Sequence, residues 1–193
     1  MNIALRASWT QERFLAWDGH NEGRHEFDGV RPLAMTGGCL RHAVIMRNLH
    51  RALDARLRGS PCRPPGPDAG LSTVGNAIRY PDALVTCTKF DSAARTTPGV
   101  VVVFEIVSPG SGRTDRIIKV REYAAVASIR RYAIIESTGI GLTVLHRATA
   151  EEPWFSTTLA EREDVLHLPE IGIEIPAGEL YEDVEFDAPA EAG

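Results

Sequence analysis

Tyr80-Pro81-Asp82-Ala83-Leu84-Val85 and, after a polar interval, Val101-Val102-Val103-Phe104-Glu105-Ile106-Val107-Ser108 decide how this chain is read. The second segment is an apolar run of β-branched and aromatic residues interrupted only by Glu105, the pattern of a strand buried on both faces. A carboxylate there is costly to bury without a partner. Asp82 opens the first run directly behind a proline, which a central strand tolerates only at its start. If the two runs pair as neighbouring strands, their carboxylates converge. Each then disfavours the other's ionisation until a cation arrives, so removing either is expected to leave the metal-free protein no less stable.

Working outward, the next element is a helix expected from Thr114 or Asp115, either of which can cap it, to about residue 127. Asp115, Lys119 and Tyr123 are spaced i, i+4, i+8 and lie along one helix face. Two converging oxygen ligands with an open remainder suit a hard divalent ion such as Mg²⁺, with Mn²⁺ as its substitute. A lysine beside them can orient or deprotonate a water and neutralise charge developing on a phosphate. That is the chemistry of phosphodiester hydrolysis. Plainer accounts stand beside it: Asp115 and Lys119 as an exposed i, i+4 pair, Tyr123 as core, and the turn-rich residues 108–112 as a strand-to-helix connection instead of a phosphate cradle.

These residues resemble the PD-(D/E)xK nuclease superfamily, with its restriction-endonuclease-like fold. That superfamily's usual pattern places the lysine two residues after the glutamate, a position held here by Val107. The departure is similar to the Uma2 family, formerly a domain of unknown function and read as endonucleases, in which the lysine has moved to the following helix. Lys119 is its counterpart here. Arg24-His25-Glu26-Phe27-Asp28-Gly29, Arg41-His42, Arg79-Tyr80-Pro81-Asp82, Phe104-Glu105-Ile106-Val107-Ser108-Pro109, the Asp115, Lys119 and Tyr123 set, and a closing Leu180-Tyr181 carry the likeness over residues 8–184. The resemblance implies Mg²⁺ held by Asp82, Glu105 and the main-chain carbonyl of Ile106, and Lys119 positioning the attacking water. It implies supporting roles for His42, Ser108, Asp115 and Tyr123. It also implies that Glu26 helps complete the metal site. The segment between Glu26 and the Asp28-Gly29 turn is one residue shorter than the family's pattern, however, and a one-residue slip reverses a side chain's face. Glu26 therefore has two places open to it, the site and the surface. His42 likewise has two, a capping or packing histidine and a hydrogen bond in the site.

The chain has 193 residues, 44% hydrophobic and 24% charged, which fits one soluble globular domain over residues 8–184 with flexible ends at 1–7 and 185–193. Cys39, Cys62 and Cys87 are odd in number, scattered and without metal-ligand spacing, so they read as reduced thiols in a cytoplasm. No segment approaches the roughly 20 apolar residues of a membrane span, and the first residues lack a signal-peptide core. The net charge of −5 is the wrong sign for a protein that grips a long duplex by its phosphates. The charge is uneven: Arg41, Arg47, Arg51, Arg56, Arg58 and Arg63 share their segment only with Asp54, while acids concentrate after Glu151. An acidic tail can hide a basic face, and Arg47 and Arg51 are the candidates for contacting DNA. A solvated helix with ordinary arginines is the plainer account.

Elsewhere, Ser8 and Gln11 have the spacing of a capping box for a short helix ending near Gly19. Asp28-Gly29 marks a hairpin between residues 24–27 and 30–35. Apolar residues at three- and four-residue steps over 44–57 predict a helix up to Gly59. Residues 60–70 are a proline-rich loop, and 89–99 a polar loop beside the site with the means to contact substrate. Strands are expected at 131–136, 142–146, 154–159 and 165–168, with a short helix at 176–181. The expected architecture is α/β, a central mixed sheet flanked by helices. The expected function is a Mg²⁺-dependent DNA endonuclease with no membrane partner, a homodimer being the one assembly left open. The alternative is a non-catalytic nucleic-acid-binding or interaction module on a degenerate nuclease fold.

Overall fold

The computed structural model describes residues 8–35, 37–108 and 114–186, without the side chains of Thr114 and Asp115. Helix α1 (Gln11–Asp18) leads into the hairpin β1 (His25–Phe27) and β2 (Pro32–Ala34), then the long helix α2 (Leu40–Leu57). Two short strands, β3 (Leu71–Ser72) and β4 (Ile78–Arg79), join that hairpin in a small sheet of order β2-β1-β4-β3. β5 (Ala83–Thr86) and β6 (Val100–Val107) follow, then a π-helical turn (Thr114–Lys119) continued by α3 (Val120–Ala124). β7 (Arg131–Glu136), β8 (Leu142–His146) and β9 (Phe155–Leu159) complete a five-stranded sheet of order β5-β6-β7-β8-β9. The hairpin β10 (Val165–Leu168) and β11 (Ile173–Pro176) and helix α4 (Ala177–Leu180) close the chain.

The large sheet is mixed as expected, because only β6 and β7 run parallel, joined by the crossover through α3. β6 and β7 are buried on both faces, which is why they read as continuous apolar runs. One face packs on α2 through Ile45, Leu49, Ala52 and Leu53, with α4 and the β10–β11 hairpin alongside. The other carries Val103, Val107 and Tyr132 against Tyr123 of α3 and Ile129. A smaller core of Phe14, Phe27 and Ile78 fastens α1 to the small sheet.

Several local expectations are corrected. The α1 cap is Thr10, not Ser8: its hydroxyl accepts the Arg13 N–H at 3.2 Å. The Asp28-Gly29 connection spans four residues, not two, since Phe27 pairs with Pro32. Asp28 Oδ1 accepts the N–H groups of Val30 and Arg31, and Gly29, at φ +89°, comes so close to the Gly75 carbonyl that a Cβ would sit 2.3 Å from it. The helix expected to about 127 stops at Ala124, because the Arg147 guanidinium takes the carbonyls of Ala124, Val126 and Ile129. β11 was not expected from the sequence at all.

The largest correction concerns the cysteines. Cys62 and Cys87 form a disulfide, next to a bridge that pairs Arg63 with Thr86 across the edge of β5. Cys39 is a free thiol and exposed. Glu185 and Phe186 belong to the described chain, and the Phe186 ring packs 5.7 Å from Tyr181. The remaining end residues, 1–7 and 187–193, residue 36 and residues 109–113 lie outside the described residues. No helix among the described residues is long and apolar enough to cross a membrane.

Candidate active site

The site forms where the ends of β5 and β6 meet the π turn and the small sheet. β5 and β6 pair antiparallel with Ala83 opposite Phe104, so one further step of the register sets Asp82 opposite Glu105. Pro81 stands at the strand entrance, where its missing N–H leaves no gap in the ladder. Asp82 Oδ2 accepts the Ile106 N–H at 2.7 Å, which turns its carboxylate toward the strand end. Its other oxygen lies 3.3 Å from His42 Nε2, and its carbonyl accepts a 2.8 Å bond from His50 Nε2. Both histidines come from α2. Gly38, just before that helix, leaves the room His42 occupies, since a Cβ there would lie 2.6 Å from the imidazole.

Glu105 is 4% exposed. Its Oε1 accepts two hydrogen bonds of 2.8 Å, one from Lys119 Nζ and one from the Tyr123 hydroxyl. Lys119 closes the π turn and Tyr123 lies one α-helical turn later, so their i, i+4 spacing delivers both groups to the same oxygen. Burial, together with the Glu105 charge, holds the Tyr123 hydroxyl well above the usual tyrosine range. It therefore serves as a fixed donor. Glu105 is accordingly no stranded charge, and the expectation that its removal leaves stability untouched is revised.

The structure settles which way Glu26 faces. It points inward, 8% exposed, with Oε1 3.2 Å from Lys119 Nζ and 3.3 Å from the Tyr80 N–H that donates to it. Phe27, its neighbour on the opposite face, enters the small core, so the register of β1 fixes both. Glu26 Oε2 accepts from Arg79 at 3.0 Å.

Glu122 was not singled out from the sequence, and Arg79 entered only within the Arg79-Tyr80-Pro81-Asp82 stretch, with no role assigned. Arg79 is 3% exposed and grips Glu122 with two bonds, 2.7 Å from Nε and 2.6 Å from its second terminal nitrogen. Burial alone lowers the guanidinium's pKa, but Glu122 and Glu26 more than reverse this and hold it above its ordinary value. Neither stands out in the sequence: Arg79 follows only two apolar residues, Ala77-Ile78, and Glu122 lies 43 residues further on.

Asp82, Glu105, Lys119, Glu26, Arg79 and His42 line one cavity of about 470 Å³, with Ile106 and Ser108 at its edge. The side chain of Asp115 lies outside the description. Arg47 and Arg51 do not line the cavity. Arg47 pairs with Asp183 at 3.4 Å and Arg51 with Glu182, while Arg56 holds Glu179 bidentately, so the helix's basic stripe meets the acids in and just after α4.

The donor set fits a hard cation. By formal charge, four carboxylates, Asp82, Glu105, Glu26 and Glu122, face two cations, Lys119 and Arg79, an excess of two negative charges with His42 counted neutral. A divalent ion offsets that excess. Among the described residues no set of three His, Cys, Asp or Glu is arranged to hold a metal by itself. A pair of carboxylates with the remaining positions left to water is the manner in which Mg²⁺ is held, whereas Zn²⁺ takes three or four protein ligands.

A family model named Uma2, described as "Putative restriction endonuclease", matches residues 11–178. An uncharacterised protein of Synechocystis, slr1290, is 28% identical over 180 residues, covering 91% of this chain and 92% of its own. A solved structure of "a putative nuclease belonging to DUF820" from Anabaena variabilis superposes with a TM-score of 0.69 at 13% identity, covering 90% of this chain and 98% of that one. At that identity the likeness speaks for the fold alone.

Proposed function

The chain belongs to the Uma2 family, and from that premise we propose that it is a Mg²⁺-dependent endonuclease that hydrolyses phosphodiester bonds in DNA. One observation carries the reading: Asp82 and Glu105 sit opposite each other at adjacent strand ends, with Lys119 bonded to Glu105, in one cavity. Asp82, Glu105 and the Ile106 carbonyl would hold the ion. When bound, it supplies Lewis-acid polarisation of the phosphate and a water of lowered pKa.

The chain's own groups account for the rest. The Lys119 ammonium, held between Glu105 and Glu26, is placed to donate to a non-bridging phosphate oxygen or to the attacking water, and to neutralise charge as the phosphorus gains its fifth oxygen. Tyr123 and the Ile106 N–H each fix one carboxylate, so neither must reorganise as charge moves. His42 Nε2, 3.3 Å from Asp82 Oδ1, helps hold that carboxylate in place at the cavity wall. All these groups lie on one chain, so a single-strand cut needs no homodimer. On this reading the working compartment is the one that holds DNA, the cytoplasm, whose reducing conditions oppose the Cys62–Cys87 disulfide.

The test combines binding and cleavage. Calorimetry with Mn²⁺ should show binding in the parent protein that is lost in Asp82→Ala and in Glu105→Ala, and DNA cut by the parent should survive both variants. Equal Mn²⁺ binding by all three proteins would remove the metal assignment. A parent that binds Mn²⁺ and DNA but cuts neither duplex nor single strands would shift the reading to a binding module.

A further inference from the structure

A second cavity of about 580 Å³ adjoins the catalytic one, and Arg24, Met35 and Tyr80 line both. Its outer wall is the polar loop 89–99, which the proposed chemistry does not use. That wall is built in place. The Gly70 carbonyl accepts the Thr97 N–H at 2.7 Å, Gly70 forms a bridge with Thr96, and Arg95 donates to the Leu15 carbonyl at 2.8 Å. Gly19 leaves the room for that arginine, since a Cβ there would lie 2.6 Å from its guanidinium. Phe90 is held in turn by the Arg63 guanidinium, 4.9 Å over its ring.

We infer that this second cavity receives one nucleobase of the substrate strand, beside the phosphate at Asp82 and Glu105, so that the substrate is DNA with an unpaired base at the cut. The inference rests on the nuclease reading above and names its substrate class.

Four features favour a base. The volume lies within the roughly 300–1,000 Å³ of small-ligand sites and is far too small for a duplex. Two aromatic residues, Tyr80 and Phe90, line it, and an aromatic ring is a stacking surface for any base. Its charged lining, Asp18, Asp68 and Asp91 against Arg24 and Arg95, carries one net negative charge. That repels a phosphate and suits an uncharged ring bearing N–H donors. Finally, Asp18 Oδ1 and His25 Nδ1, both on this cavity's wall, lie at the ion-pair separation of 3.4 Å, and neither atom makes a hydrogen bond within the protein. Buried polar atoms without a hydrogen bond are uncommon, and an N–H or a ring nitrogen of a bound base would supply one.

The two cavities share Tyr80, which is two residues from Asp82 and so at most about 7 Å from it along the chain, within the reach of one nucleotide from phosphate to base. Pulling a base from a duplex has a cost that a single strand or a mismatch avoids, which makes the pocket a selector of unpaired DNA.

The probes are a short dye-labelled oligodeoxyadenylate and a backbone of equal length in which every base is replaced by an abasic residue, titrated by fluorescence anisotropy in EDTA. The parent should bind the base-bearing strand about tenfold more tightly. Phe90→Ala should lose most of that difference, and so should Phe90→Leu, which keeps the bulk and removes the ring. With Mg²⁺, the parent should cut the single strand faster than a fully paired duplex. An abasic backbone bound as tightly as the base-bearing strand, base dependence undiminished in both variants, or no oligonucleotide binding at all overturns the subsite. Base-dependent binding by a protein that cuts nothing keeps the subsite and removes the nuclease; cutting with base-independent binding does the reverse.

Discussion

Arg79 and Glu122 meet through two bonds of 2.7 and 2.6 Å, tying the small sheet to helix α3 across a buried boundary. Arg79 is also the only residue that touches both Glu122 and Glu26 among the ion pairs described. It therefore sets the position of Glu26, and through Glu26 one side of Lys119.

Removing one partner of such a pair leaves an uncompensated buried charge. Arg79→Met should lower unfolding free energy by about 3–5 kcal/mol, read from the urea midpoint. Arg79→Met with Glu122→Gln should recover part of the loss, because one of the stranded carboxylates is gone. Equal stability of the single variant and the parent would show that the network is not buried as described.

The same logic explains what was legible in the sequence. β6 and α2 announce themselves because burial imposes a pattern on neighbouring residues, and Asp82 and Glu105 stand out because each breaks one. The face of Glu26 was not legible, since a strand of three residues gives its register only through its pairing with β2 and β4. Nor was the Arg79–Glu122 pair, whose members are 43 residues apart and read singly as an ordinary arginine and a surface glutamate. Counting cysteines failed for a related reason: Cys62 and Cys87 flank the Arg63 and Thr86 bridge, a long-range neighbourhood that spacing does not reveal.

The disulfide closes a loop across a sequence separation of 25. In the chain-entropy account such a loop contributes about 3.5 kcal/mol. Adding dithiothreitol should move the urea midpoint down accordingly, and Cys62→Ala with Cys87→Ala should reproduce the shift without reductant. A midpoint indifferent to reductant in the parent would argue against the bond. Neither treatment should abolish Mn²⁺ binding, because neither cysteine lines the cavity of Asp82 and Glu105.

Tyr181 predicts the alkaline limit of stability. Its hydroxyl lies 2.8 and 3.0 Å from the carbonyls of Gly141 and Glu136, and burial pushes its pKa up to about 12. A group raised above its unfolded value of about 10 contributes stability that is whole below pH 10. That contribution is lost as pH rises through 12, to the extent of about 2–3 kcal/mol. Tyr123, also raised by burial, acts in the same direction. Urea midpoints should hold to pH 9 and fall between pH 10 and 12, less steeply in Tyr181→Phe. A flat profile across that window would contradict the burial of both phenols.

The last prediction concerns the position of the lysine. Lys119 reaches Glu105 Oε1 at 2.8 Å from a π turn, although the superfamily's usual lysine sits two residues beyond the glutamate on the strand itself. Lys119→Ala should leave Mn²⁺ affinity intact, since the ammonium is no ligand and its departure frees carboxylate oxygens. Turnover should fall by a factor on the order of 10² or more, as expected for losing a positioned charge-stabilising group. Val107 is buried on the face of Glu105 and packs in the same core as Tyr123. Moving the amine there, as Val107→Lys with Lys119→Ala, should restore part of the turnover while reducing stability, because a core valine is lost. A Lys119→Ala protein that cuts DNA as fast as the parent would refute the role; one that loses metal binding together with turnover would show instead that the lysine holds the carboxylates in place.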